Sequence, residues 1–258
     1  MPFPNFKRKH ANDSMFSPED FLDYQRRNGK HPGGKLPKSV ILCYNSKLMQ
    51  SILETQPIHP LAVFHLHNDF FVLQKTKGKV GIIGNFGIGA PVAAIMVEEL
   101  AAFGVKKFIS IGKAGTLQKN LEIGDIVVCE KAVRDEGTSH HYMKPSRFSY
   151  ASKRLTKKVQ ETLKQEKVQY QNGTSWTIDA PYRETLKEAR QYQKEGVATV
   201  EMEAAALFAV AQYRKLEMAS LFTISDSLAE LKWKPHFENP KTRQGLETLF
   251  QVALKTLQ

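Results

Sequence analysis

The chain has 258 residues, 41% of them hydrophobic and 24% charged, which excludes global disorder and leaves room for one large domain or two small ones. Two cysteines, Cys43 and Cys129, supply neither a disulfide framework nor a four-thiolate metal site, and no run of about 18 apolar residues is present to span a membrane. The net charge of +11 suits anionic ligands, but the basic residues are scattered in pairs such as Arg26-Arg27, Lys106-Lys107 and Lys157-Lys158, so a solvated surface is favoured over a nucleic-acid-binding stripe.

Residues 1–37 are proline-rich and read as an N-terminal arm, with one short helix at Pro18–Arg27 and the turn material His31-Pro32-Gly33-Gly34. The opening residues lack the apolar stretch of a secretory signal, so a cytoplasmic, reduced protein is expected. Residues 38–258 read as one domain. Ser39–Cys43, Phe70–Leu73 and Val80–Gly84 are short apolar runs typical of buried strands. Gly87-Ile88-Gly89-Ala90-Pro91 then leads into a helix at Val92–Phe103, with Pro91 suited to its first turn and Gly104 to the position just past its end. Strands follow at Lys107–Ile111 and Gly124–Cys129, the first ending in a Gly112-Lys113-Ala114-Gly115 turn. A helix at Lys153–Glu166, a strand at Gly196–Val200, a helix at Glu203–Lys215, a strand at Ala219–Ile224 and a closing helix at Thr242–Leu257 complete the chain. This alternation predicts a three-layer α/β/α domain around a mixed, mainly parallel central sheet.

Ligands of open α/β sheets bind beyond the carboxyl ends of the strands, which selects the loops after Gly84, Ile111, Cys129, Val200 and Ile224. The glycines at 87 and 89 do not make a dinucleotide fingerprint; a tight turn, or backbone N–H groups aimed at an anion, explains them. Lys113 is either a surface residue or a point charge for phosphate. Glu201-Met202-Glu203 interrupts an apolar passage where carboxylates are costly to bury, and a place in the first turn of a helix accounts for one of the two. Asp226 arrives at a strand end behind Ser225, where it can act chemically or cap the next segment. His140-His141 lies in an extended loop and makes a poor pair of ligands, so no metal is expected.

Four segments together resemble the nucleoside phosphorylase/nucleosidase superfamily, of the purine nucleoside phosphorylase and uridine phosphorylase type. They are Gly87–Pro91 with Glu99-Leu100, Ile111–Leu117 leading to Ile123-Gly124-Asp125, Val200-Glu201-Met202-Glu203-Ala204-Ala205, and Thr223-Ile224-Ser225-Asp226. The resemblance implies a pentosyltransferase cleaving an N-glycosidic bond with inorganic phosphate as co-substrate and no cofactor. Glu203 would accept hydrogen bonds from the ribose hydroxyls, Met202 would pack on the sugar, and Asp226 would protonate a purine at N7. Glu201, Gly112 to Gly115 and Ser225 would line the same pocket. An Asp-x-Phe-Tyr stretch of the family corresponds to Asp179-Ala180-Pro181-Tyr182, so Tyr182 or Trp176 would stack on the base, with Arg183 beside it. The family's phosphate-binding arginines are absent; Ser110 stands where one belongs, and Tyr44–Leu48 replaces the loop that carries the other. Lys113, Ser110, Lys47 and Arg134 are the candidates to hold phosphate. Gly112–Gly115 and Arg134–Ser139 are also similar to the AMP nucleosidase branch, which uses water. The resemblance further implies a homo-oligomer, a dimer or a hexamer of dimers, with His31 or His59 reaching a neighbour's site. The alternatives are a hydrolytic nucleosidase, a uridine phosphorylase, and an inactive nucleic-acid-binding module on the same fold.

Overall fold

A computed structural model describes residues 4–6, 8–29, 36–61 and 69–258. The expected contribution of His31 lies outside these residues. The central strand β1 (Ser39–Cys43) is buried along its whole length. It lies between β4 (Val80–Gly84) and β5 (Lys107–Thr116), parallel to both, with Ile41 opposite Ile82 on one side and Ile109 on the other. Successive side chains of a strand point to opposite faces. Val40 and Leu42 accordingly join a core with α3 (Ala90–Ala102) and α6 (Ala204–Arg214), while Ile41 and Cys43 join a second core with α2 (Ser46–Thr55), α4 (Lys153–Gln165) and α7 (Pro240–Leu257). Both faces are covered, which is why these strands read as unbroken apolar runs rather than alternating ones. The expected three-layer α/β/α architecture is borne out.

One face is built from unusually small residues. Eight consecutive positions of α6, Ala204 to Ala211, are buried, and five of them are alanine, so α3 and α6 approach each other closely over the sheet. The N-terminal helix α1 (Pro18–Arg27) starts at a capping box made by Ser17 and Asp20 and packs on α3, with Leu22 buried.

The remaining strands are β2 (Ile58–Pro60), β3 (Asp69–Leu73), β6 (Ile126–Asp135), β7 (Phe148–Tyr150), β8 (Gln171–Ile178), β9 (Thr199–Glu201), β10 (Glu217–Ser227) and β11 (Lys234–Pro235). Helix α5 (Leu186–Lys194) packs Ala189 near Trp176. Among the described residues the eleven strands form one mixed sheet whose longest ladders are parallel. The sheet is not open at its C-terminal half. β5 pairs with β10, β10 with β6, β6 with β8, β8 with β9, and β9 returns to β5, so five strands close a ring.

Two expectations need correction. Gly112-Lys113-Ala114-Gly115 is not a turn: β5 continues through it to Thr116, because β10 and β9 supply hydrogen-bonding partners on both sides. Nor do His140 and His141 lie in an extended loop: they sit in a single 3-10 turn, Ser139–His141. Within Tyr44–Leu48, Asn45 caps α2 by accepting from the Leu48 N–H at 2.8 Å, and Lys47 lies within that helix.

Candidate active site

The parallel strands β1, β4, β5 and β10 end on one side of the sheet, and a cleft of about 400 Å³ opens there. It is lined by Tyr44 and Asn45 after β1, Ile88 after β4, Gly112 to Gly115 in β5, Val200 to Glu203 at the end of β9, and Ser225 and Asp226 in β10. Nine of the residues singled out from the sequence therefore meet in one cavity: Gly112, Lys113, Ala114, Gly115, Glu201, Met202, Glu203, Ser225 and Asp226.

Gly115 explains how the two acidic strand ends come together. It pairs with Val200 of β9 on one side and with Asp226 of β10 on the other. A Cβ at this position would stand 2.9 Å from Asp226 Oδ2, 2.9 Å from Leu228 Cδ1 and 3.2 Å from Val200 Cγ1. Only a residue without a side chain lets β9, which leads into Glu203, and β10, which carries Asp226, close to this separation. The register of β10 against β5 also shifts between Ile224 and Asp226, and such an irregularity re-aims the residues around it.

The carboxylates of Glu201 and Glu203 have different work. Glu201 is saturated: Oε1 accepts from Ser175 Oγ at 3.1 Å and Thr177 Oγ1 at 2.6 Å, and Oε2 accepts from the Glu203 N–H at 2.8 Å and the Ala204 N–H at 2.7 Å. Ser175 and Thr177 lie two apart in β8 and so project to the same side. Glu201 thus satisfies the exposed N–H groups that begin α6, where a negative charge is favoured. Glu203 accepts from the Gly89 N–H at 2.6 Å and from the Met202 backbone, fewer donors than Glu201 has, and lines the cleft. Burial and the neighbouring charge of Glu201 push its carboxyl up to about 8. Burial raises Glu201 as well, but its four donors oppose that rise. Gly89 has φ of 104°, a backbone state that side chains resist, and this conformation aims its N–H at Glu203. Of the two readings of the glycine loop, a tight turn or an N–H aimed at an anion, the Gly89 N–H does find an oxygen acceptor, and it belongs to the protein's own Glu203 carboxyl.

Asp226 lies at the other end. Its Oδ1 accepts from Ser225 Oγ at 2.7 Å and its Oδ2 from Trp233 Nε1 at 3.0 Å. Lys113 enters from the side, donating to the Phe237 carbonyl at 3.2 Å and resting 5.5 Å above the Phe237 ring. Partial burial lowers the Lys113 ammonium from its ordinary value, and the opposing charges of Glu238 and Asp226 offset part of that shift.

The other candidates lie elsewhere. Ser110 is buried beneath the cleft floor, its hydroxyl 3.4 Å from that of Tyr44, and does not line the cavity. Arg134 is turned into its own loop, bonding Ser139 Oγ, the Lys144 carbonyl and Ser146 through Nε and Nη1, with Nη2 buried and unpartnered among the described residues; it does not line the cleft. Lys47 pairs with Glu238 at 2.5 Å over a neighbouring groove. Tyr182 is exposed and borders a separate apolar annex, while Arg183 lines neither cavity. Trp176 is fully buried, bonded to Asp135 Oδ2 at 2.8 Å and packed on Tyr192, so it belongs to the core. His59 is an exposed residue of β2. Among the described residues no group of three or more His, Cys, Asp or Glu side chains is placed to hold a metal ion, and no helix is long and apolar enough to cross a membrane.

Sequence reasoning missed Glu184, Phe222, Trp233 and Phe237 as parts of the site, and took Tyr44 only as part of the stretch that replaces a phosphate loop. The strand-end rule, extended to β1, finds Tyr44 and Asn45. Phe237 lies in a segment without periodicity and gives no such signal.

Comparison with known proteins places this geometry in a family. The family model described as the phosphorylase superfamily matches residues 39–257. A purine nucleoside phosphorylase of the DeoD type from Shewanella oneidensis is 29% identical over 226 residues, covering 86% of this chain and 94% of its own. A purine nucleoside phosphorylase from Plasmodium vivax is 30% identical over 184 residues, covering 70% of this chain and 74% of its own. The crystal structure of a uridine phosphorylase from Vibrio fischeri superposes with a TM-score of 0.74 at 29% identity, over 86% of this chain and 92% of that one. The chain belongs to the phosphorylase superfamily.

Proposed function

We propose that the protein is a nucleoside phosphorylase acting on purine nucleosides, releasing the base and ribose 1-phosphate. The observation that carries this reading is the convergence of Glu203 and Asp226 on one cleft, with Met202 on its wall. The N-glycosidic bond breaks as positive charge develops at ribose C1′. Glu203 accepts from the ribose hydroxyls and, as these donors favour its ionised form, sets a negative charge beside that developing cation. Asp226 delivers a proton to purine N7, so the base departs neutral; such general-acid assistance is worth on the order of 10²–10⁴-fold. A phosphate oxygen forms the new bond to C1′ from the side where Lys113 supplies a cation. An acid placed for N7 favours a purine over uracil, which has no such atom.

A second reading, hydrolysis with water as acceptor, is favoured by one observation: Lys113 is the only cationic side chain lining the cleft among the described residues. Incubation with inosine, adenosine, uridine and AMP, with and without phosphate, separates the two. Strict dependence of base release on phosphate supports the phosphorylase; release of free ribose or ribose 5-phosphate without phosphate overturns it.

We also propose a cytoplasmic homo-oligomer. Ile88 lines the cleft yet is 63% exposed, and Ile95, in the helix that follows, is 48% exposed, as expected where a neighbouring subunit completes the site. Light scattering that finds only monomer overturns this.

A further inference from the structure

The acidic side chains at the leaving-group end are, with one exception, satisfied. Asp226 has its two donors; Asp179 accepts from the Gly137 N–H at 2.7 Å, Asp135 from Trp176, and Glu188 from Thr185 in the capping box that opens α5. Among the described residues Glu184 takes part in no side-chain hydrogen bond or ion pair. It is held between two ordered pieces, ending the 3-10 turn Pro181–Arg183 and immediately preceding Thr185. Its half-buried carboxyl lines the main cleft and also an adjoining annex of about 570 Å³, whose walls include Leu186, Leu228 and Leu231. Asp226 and Phe237 border the same two cavities, so Glu184 and Asp226 face one junction.

A purine presents N7 and its 6-substituent along one edge: adenine offers an acceptor beside a donor, hypoxanthine two acceptors. A group adjoining the residue at N7 therefore meets position 6. We propose that Glu184 reads the 6-substituent of the leaving purine, accepting from a 6-amino N–H when ionised and donating its O–H to a 6-oxo oxygen when protonated. This rests on the purine reading above. Burial, reinforced by the negative charges of Asp226 on β10 and Glu188 on α5, pushes the Glu184 carboxyl up to about 7, so both forms are populated near neutral pH. The other charged group bordering the annex is Lys232.

The test is equilibrium binding of free adenine and hypoxanthine by calorimetry between pH 5.5 and 8.5, for the wild type and Glu184→Gln. In the wild type the preference should move toward adenine as pH rises through about 7, by on the order of tenfold. Glutamine both donates and accepts but does not titrate, so its preference should be flat with pH. A wild-type preference that does not change with pH, an identical pH dependence in Glu184→Gln, or failure of both bases to bind overturns the assignment. Binding of the expected kind without phosphate-dependent turnover leaves Glu184 in place and removes the phosphorylase reading instead.

Discussion

The backbone N–H of Gly89 donates to Glu203 Oε1 at 2.6 Å, joining residues 114 positions apart. This bond ties the glycine loop before α3 to the carboxylate before α6; the Met202 backbone supplies a second donor, against four at Glu201. A buried carboxyl with few donors and a charged neighbour is held in reserve for ligand hydroxyls, at a cost to the ligand-free protein.

That cost sets a pH dependence. The folded Glu203 carboxyl stands at about 8 against an ordinary value of 4.5, so the folded state binds the extra proton. Its contribution to stability is complete below about 4.5 and is lost as pH rises through about 8. Glu203→Gln removes the charge and should therefore stabilise the ligand-free protein at pH 8.5 by about 2 kcal/mol, or roughly 5 °C in melting temperature. At pH 4.5 the two proteins should melt together. Equal melting at both values argues against a strained carboxyl, and activity of the variant should fall wherever stability rises.

Glu201 behaves in the opposite sense. Glu201→Ala strands the Thr177 hydroxyl and the two N–H groups that open α6, and leaves the Ser175 hydroxyl only the Thr199 carbonyl, at 3.5 Å, to donate to. Urea denaturation should show a loss of at least about 3 kcal/mol. A variant folded as well as the wild type removes Glu201 from its capping role.

Asp226→Asn preserves the shape that Ser225 and Trp233 surround but has no acidic proton to give. Turnover of purine ribosides should fall about 10²-fold or more with little change in melting temperature. Unchanged kcat in steady-state assays would exclude Asp226 as the acid.

Lys113→Met tests the acceptor end. The KM for phosphate should rise about tenfold or more, while the KM for nucleoside changes little. A rise confined to the nucleoside would move Lys113 to the other substrate.

The central strands were readable from the sequence because burial on both faces demands continuous Val, Ile and Leu, α4 and α7 because buried apolar residues recur along one face, and α1 because Pro18 marks its start. β8 was not. Trp176 and Ile178 join an apolar core, but Ser175 and Thr177 on the other face serve the buried Glu201 carboxylate and Gln171 and Asn172 are exposed, which erases the usual apolar pattern. Closure of the sheet depends on β9 finding β5, a pairing of residues far apart in the chain with no local signature. For the site, Glu203 and Asp226 stood out because charge interrupted apolar runs. Arg134 and Lys47 looked equally available in sequence, since nothing local reveals that Ser139, Ser146 and Glu238 already occupy them. Glu184 escaped notice for the converse reason, sitting in a polar stretch where one more carboxylate is unremarked.

The hydroxyl contact between Ser110 and Tyr44 couples two positions beside the cleft. An arginine at position 110 alone would drive a guanidinium into a buried phenol, and shrinking the tyrosine alone would leave a hollow beside the cleft. The energetic cost of either change therefore depends on the other, so Ser110 in β5 and Tyr44 just past β1 form a non-additive pair.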